Sequence, residues 1–215
     1  MCFSAEASFT ASIALVAISW ASYQRINKPK QLLLLGVPLG FALQQFLEGL
    51  VWLVFKYNFN PIISKLAIYG FLFFAYIFWP VYIPLVLTKL ERITKNRKIL
   101  TGLAVLGSLV SASLVIMLSV GGATAEIANC HIIYQLGVNW LDFNLALSAV
   151  LLYVLATVGA MLSSSLRGMR ILGIATLGAF IAAQYFYYAA AVSVWCFCAA
   201  VLSLLIYWII GLNRA

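Results

Sequence analysis

Charge is scarce in this 215-residue chain. Asp, Glu, Lys and Arg together make up 8% of it against 65% hydrophobic residues, and the mean hydropathy is +1.07, whereas a soluble domain carries roughly 25% charged residues. A soluble fold is excluded. The chain holds one histidine, too few for a site built on several histidines. Basic residues outnumber acids, 13 to 5, but they sit in short runs between apolar stretches, where they orient helices rather than bind nucleic acid. No basic leading region precedes the first apolar stretch, because the chain opens Met1-Cys2-Phe3-Ser4-Ala5-Glu6. That stretch is therefore expected to be kept rather than cleaved. Cys2 also precedes the apolar segment instead of following it, which argues against a lipoprotein anchor.

What is present is a series of long apolar stretches, at about 7–23, 32–55, 62–88, 99–120, 143–163, 171–190 and 193–212. Each is long enough to cross a hydrocarbon core of ~30 Å as a helix. The expected fold is all-α: a polytopic membrane helix bundle of seven transmembrane helices forming one transmembrane domain over residues 1–215. Such a chain belongs in a bilayer, expected to be the inner (plasma) membrane of a bacterium. The separation at 189–193 is the least polar of the breaks, and if it is not a break the count is six. Eleven of the basic residues, Arg25, Lys28, Lys30, Lys89, Arg92, Lys95, Arg97, Lys98, Arg167, Arg170 and Arg214, fall in alternate connections or at the C-terminus. Lys56 and Lys65 fall on the other side. By the positive-inside rule the N-terminus is outside and the C-terminus cytoplasmic. Gly36, Pro38 and Gly40, and Pro80 and Pro84, mark small-residue packing faces and kinks. Trp52, Trp79, Trp140, Trp195, Tyr57, Tyr82 and Tyr207 read mainly as interfacial belts. Spans 1–3 and 5–7 show no self-similarity of the kind expected of two three-helix repeats, and the Pro-Gln dipeptide of triple-helix sugar transporters is absent.

On this topology the chemistry-bearing residues gather toward the outer face. Cys2, Cys130, Cys196, Cys198 and His131 fall at outer helix ends or in outer loops, and Glu48 is the one acid well inside a span. An intramembrane acid is costly, about 2.5–3.5 kcal/mol on insertion scales, and marks a bundle interior with a partner. Gln44 and Trp52 lie four residues either side of Glu48 and share its helical face, with Gln45 beside them. Gln184, with Tyr187 and Tyr188 three and four residues on, offers a second polar and aromatic face at similar depth. The loop from Gly121 to Leu141 exceeds a turn. Its apolar residues Ile132, Ile133, Leu136 and Val138 suit a segment lying on the membrane surface or over the bundle mouth as a lid, lowering His131 toward the cavity.

Cysteine, histidine and glutamate form a ligand set for zinc, and thiolate with imidazole also suits copper. The leading reading is a transition metal, zinc ahead of copper, held by Cys2, Glu48 and His131 in an outward-facing polar cavity. Gln44, Gln45, Gln184, Tyr188 and Ser4 would support it. A metal-bound water could then hydrolyse a small-molecule or lipid substrate with Glu48 as ligand or base. Disulfides, for example from Cys130 to Cys196 or Cys198, are the competing use of the same residues, and inert thiols a third. The alternative function is a small-solute or proton transporter gated by Glu48; the second alternative is a non-catalytic assembly or sensor subunit. Whether the chain is an enzyme at all, and its oligomeric state, stay open at this point.

The opening Met1-Cys2-Phe3-Ser4-Ala5, followed by Ala7-Ser8-Phe9, resembles the start of a family of uncharacterised integral membrane proteins of similar length that begin Met-Cys-Phe-Ser-Ala. The resemblance implies a membrane fold over the whole chain and gives weight to Cys2 and Ser4; it implies no activity. Two other seven-helix classes fail on residues. Hydrolases of the alkaline ceramidase type hold zinc with several histidines, and only His131 is present; rhodopsins need a lysine in the last helix, and the last apolar stretch has none.

Overall fold

Ser4 starts the first helix: its hydroxyl accepts the Ala7 N–H at 3.3 Å, and α1 runs Ala5–Tyr23. A serine in extended conformation at this position satisfies one of the amides the helix cannot bond itself. The computed structural model describes residues 4–128, 130–137 and 143–213. Cys2, Val138, Trp140 and Asp142 lie outside the described residues. The buried face of α1 is Ser8, Ser12, Leu15, Ser19 and Ser22, spaced alternately four and three, so small side chains form one stripe. This lets α1 lie close along α2, Leu32–Tyr57, as small residues do between membrane helices. Ser12 fixes the register by donating to the Ala42 carbonyl at 2.8 Å.

The chain continues through α3 (Pro61–Leu72), a π-helical stretch (Phe73–Phe78), α4 (Trp79–Leu90) and α5 (Thr94–Gly121). A β-hairpin follows, and then α6 (Phe143–Ser163), α7 (Met169–Phe186), a 3₁₀ turn (Tyr188–Ala190), α8 (Ala191–Leu202) and α9 (Leu205–Leu212). Helix α2 is central, touching α1, α3, α4, α8 and α9, while α4 to α8 pack in succession around it. The architecture is an all-α bundle: among the described residues six helical stretches are long and apolar enough to cross a membrane, or seven if α8 and α9 count as one span bent by 40°.

That bend replaces the single helix expected over 193–212. At the break the Ser203 hydroxyl donates back to the Ala200 carbonyl at 2.7 Å, and its N–H is shared between the Ala199 and Ala200 carbonyls. Serine bonded to its own preceding turn bends helices in this way. The loop after α5 also differs from an irregular lid. Strands β1 (Ala123–Ala128) and β2 (His131–Leu136) pair antiparallel, from Ala123 opposite Leu136 to Ala128 opposite His131. Ile132 and Tyr134 are buried, Tyr134 stacks on Phe71 at 4.5 Å between ring centroids, and Ala123 N–H donates to the Tyr69 hydroxyl at 3.1 Å. The hairpin is thereby fastened to α3, α5 and α8.

The middle of the third stretch is shaped by prolines. Pro80 has no N–H for the Tyr76 carbonyl and Pro84 none for that of Pro80, so the ladder slips into the π form just before them. Two carbonyls of the π stretch are met from neighbouring helices: Tyr153 donates to Ala75 O at 2.6 Å and Ser111 to Ile77 O at 2.9 Å. The Pro80 carbonyl instead presses on α5 where Gly107 lacks a side chain, and a Cβ there would come within 1.8 Å of that oxygen.

Opposite the hairpin, the α1–α2, α4–α5 and α6–α7 connections meet the end of α9, forming a basic face. Gln31 donates to Asn213 O at 2.8 Å, Asn213 donates to Arg167 O at 3.0 Å, and the Arg25 guanidinium lies 3.7 Å from the centre of the Tyr207 ring. Glu91 ties α4 to the α6–α7 turn. Its carboxylate accepts the N–H groups of Arg92 and Ile93 at 3.0 Å each, that of Ser165 at 2.8 Å, and the Ser165 hydroxyl. Burial alone would push the Glu91 carboxyl up, but the Ser165 hydroxyl and these backbone donors together outweigh it and hold the group below the usual carboxylate range.

Two outcomes follow. Gly107→Ala forces α4 and α5 apart against a backbone oxygen that cannot rotate away, and should lower stability by about 1–3 kcal/mol in detergent thermal unfolding; Gly102→Ala, with open space around it, serves as the neutral control. Glu91→Gln should cost about 2 kcal/mol at neutral pH. Because the folded carboxyl titrates below its unfolded value, wild-type stabilisation is complete above the ordinary glutamate value of ~4.3. It fades as pH falls through the lower folded value. A stability gap between wild type and Glu91→Gln that does not shrink on acidification would contradict the assignment.

Candidate functional site

The 3–4 spacing of Phe41, Gln44, Gln45 and Glu48 puts three polar side chains on the buried side of α2, where Gln44 and Gln45 are 0% exposed and Glu48 2%. Each needs a partner, since hydrocarbon offers none. Glu48 Oε1 accepts the Ser193 hydroxyl at the start of α8, and Oε2 accepts Gln45 Nε2 at 3.1 Å. Gln44 Oε1 accepts the Trp79 indole N–H at 2.8 Å, and that indole stacks on Phe41 with centroids 3.9 Å apart. Trp79 is thus a buried bracket between α2 and α4, not the interfacial anchor that its residue type suggests. Tyr134 and Cys196 lie within electrostatic range of Glu48. Among the described residues, Gln44 Nε2, Gln45 Oε1, Trp52 Nε1 and the Tyr134 hydroxyl are buried with no hydrogen-bond partner. Unsatisfied groups in such number around one carboxyl are otherwise met by ordered water or a polar solute.

The metal reading is overturned here. Among the described residues no group of three or more His, Cys, Asp or Glu side chains comes together to hold an ion. Both Glu48 oxygens are engaged by neutral donors, and the proposed ligands diverge. His131, at the head of β2, sets its ring against Tyr187 with centroids 4.9 Å apart. Cys2 lies outside the described residues. Zinc or copper, and with them a metal-dependent hydrolase, are therefore withdrawn.

The remaining expected residues are dispersed. Ser4 caps α1. Gln184 lines a cavity under the hairpin rather than bonding Glu48, and Tyr188 is 76% exposed. Cys196 and Cys198 are both thiols, Cys196 buried in the bundle and Cys198 lining an apolar groove with Ala175, Ala179 and Phe197; residues two apart on a helix point about 200° apart. Cys130 sits in the hairpin turn at φ 63°. Ser193, Tyr134 and Tyr153 belong to the site's surroundings without having been singled out, and Trp79 was taken for an interfacial residue. The one signal for Ser193 is a hydroxyl opening an otherwise apolar stretch; Trp79 was marked by its neighbour Pro80 in mid-span.

Helix α8, to which Glu48 is bonded, walls two cavities that Glu48 itself does not line. Ser193 bonds the carboxyl, while Trp195 and Cys196 on the same helix, with Tyr153 of α6, form a wall shared by two cavities. One, of about 170 Å³, lies beneath Leu136 of the hairpin. The other, of about 40 Å³, lies deeper between Trp79 and Ser203. A small void of about 10 Å³ shares Val37, Ile83, Met161 and Leu172 with the deeper cavity, and shares Leu34 with a cavity of about 570 Å³ on the basic face. The four voids are thus linked through shared wall residues from hairpin to basic face; Ala75 and Tyr76 of the π stretch line the first, and Ser203 of the α8–α9 break lines the second.

If the Ser193 bond holds the carboxyl, Ser193→Ala should lower stability by about 1–3 kcal/mol. A double-mutant cycle with Glu48→Gln should then give a coupling of at least about 0.5 kcal/mol, and strict additivity would refute the contact.

No curated protein and no solved structure matches the chain. A family profile described as "Family of unknown function (DUF6629)" matches residues 1–215. Its span is the entire sequence, helices, hairpin and buried acid included, and the chain therefore belongs to that family.

Proposed function

We propose that the chain is a seven-span transporter of the plasma membrane for a proton or small solute, with Glu48 as the group that binds and releases its counter-charge. The whole of residues 1–215 forms one transmembrane domain in this reading. The hairpin face is outside, and the basic face, with the C-terminus, is cytoplasmic. The distribution of basic residues supports this orientation, and α8–α9, starting under the hairpin and ending at Asn213 beside Gln31, supports counting the bent pair as the seventh span.

The observation that carries the transport reading is the solvation of Glu48. Its two oxygens receive one hydroxyl and one amide, both neutral. A carboxylate buried among neutral donors must be balanced by a bound proton or a cation that arrives with the solute. The second support is the pair of interrupted helices, each lining one of two cavities that share a wall, since interrupted helices near the membrane midplane form the solute and ion sites of many secondary transporters. Ser193 supplies a coupling route: a change of charge at Glu48 alters its bond to α8, which walls two of the cavities and is hinged at Ser203.

Purified protein in liposomes containing a pH-sensitive dye should take up protons under an imposed potential or pH gradient, and Glu48→Gln should abolish uptake while leaving thermal stability within about 1 kcal/mol. Uptake indifferent to Glu48→Gln would end the proposal. Orientation is checked separately. On a cysteine-free background, Thr124→Cys in the hairpin should react with an impermeant maleimide applied outside intact cells, and Lys95→Cys only after lysis.

A further inference from the structure

The basic face holds more positive charge than orientation alone requires, and it holds it around a cavity. Lys28, Lys30, Lys89, Arg92 and Arg167, drawn from three separate connections, line a space of about 570 Å³. Glu91 is the one acid in that wall. Its oxygens are occupied by Ser165 and by the backbone N–H groups of Arg92 and Ile93, with no lysine or arginine side chain among the donors. The frame is built from neutral groups as well: Asn213 receives Gln31 Nε2 on its carbonyl, bonds Arg167 O through its amide, and accepts the Arg167 N–H at 3.2 Å. Neutral side chains and backbone thus brace the walls, while among the described residues no carboxylate pairs with Lys30, Lys89, Arg92 or Arg167. Held apart by the frame, like charges lining one concavity repel one another until an anion enters.

We propose that this cavity is a binding site for a phosphate group. Tetrahedral, multiply charged oxyanions match the guanidinium forks of Arg92 and Arg167, with Lys89 and Lys30 as point charges. Two sources present such a group at this depth: the headgroup of an anionic phospholipid, for which basic pockets between helices at the cytoplasmic surface are suited, and a soluble phosphate. The site does not involve Glu48, and its headgroup source rests on the orientation proposed above, whereas binding of soluble phosphate does not.

The test uses full-length protein in nanodiscs of phosphatidylcholine alone or mixed with phosphatidylglycerol, and in detergent with inorganic phosphate or pyrophosphate. Thermal unfolding and native mass spectrometry are the readouts. The expected result is a raised melting temperature, with either retained phosphatidylglycerol or saturable phosphate binding. The combined variant Arg92→Gln and Arg167→Gln should weaken it roughly tenfold or more. Lys95→Gln, Arg97→Gln and Lys98→Gln, on the same face but outside the cavity wall, should leave it unchanged. Retention of the lipid against millimolar phosphate assigns a headgroup; binding of phosphate without lipid assigns a soluble ligand. Absence of both, or an equal loss in the Lys95, Arg97 and Lys98 variant, overturns the site. Should the Arg92 and Arg167 pair fail to fold, Lys89→Gln alone is read against the same control.

Discussion

The carboxyl group of Glu48 lies where neither lipid nor bulk water can solvate it, and the interior arrangement of helices answers to that requirement. Two oxygens need donors, and they draw Ser193 of α8 and Gln45 of α2 to one point. Gln44, one residue before Gln45, is forced into the same apolar interior and finds the Trp79 indole on α4. A single polar face on the central helix thereby links α2 to α4 and α8. Because an unmet polar group in hydrocarbon costs several kcal/mol, these few bonds specify helix neighbours more sharply than apolar packing, which is nearly indifferent to partner in lipid.

The same economy of polar groups governs the helix interruptions. Pro80 and Pro84 remove two donors from the third stretch, and the π form beside them is braced by Tyr153 and Ser111, whose hydroxyls bond the Ala75 and Ile77 carbonyls. Ser203 supplies its own back-bond at the α8–α9 bend. Each interruption lines a cavity, Ala75 and Tyr76 one and Ser203 the other, since helices that deviate from straight packing leave space at the point of deviation. Tyr153 belongs to both features: it satisfies the π stretch and walls two cavities. Movement in one would be felt by the other.

Much of this was legible in the residues. Low charge and long apolar stretches imply a helix bundle in the bilayer, and the expected intervals lie close to the helices observed through α7. Glu48 stood out because an acid in an apolar stretch is costly and calls for a partner in the bundle interior, whether structural or functional. What the pattern did not carry was partner identity. A serine donor for a carboxylate leaves no spacing rule, since Ser193 is 145 positions from Glu48, whereas Gln44 and Gln184 attract notice by type. The cysteine and histidine reading failed for a related reason: a common side of the membrane is not a common point, and His131 turns to Tyr187 while both Glu48 oxygens are already taken. The hairpin was missed because its alternation is short and because a loop rich in Ile reads equally as a surface segment. Trp79 was misread because tryptophan is frequent at membrane interfaces, although its position beside Pro80 put it mid-span.

Two acids of this chain show how environment divides a single side-chain chemistry. Glu91 sits at the basic face with four donors, three of them backbone N–H groups fixed by the end of α4 and the α6–α7 turn. Its charge is solvated by the protein itself, and it needs no mobile partner. Glu48 has two neutral donors and lies deep in the bundle. Neither donor carries a charge, so in the transport reading proposed above its counter-charge is a proton or a cation. That difference separates the two acids in the proposed reading: a carboxylate whose compensation is permanent stabilises one conformation, whereas an exchangeable compensation at Glu48 would make conformation depend on what is bound.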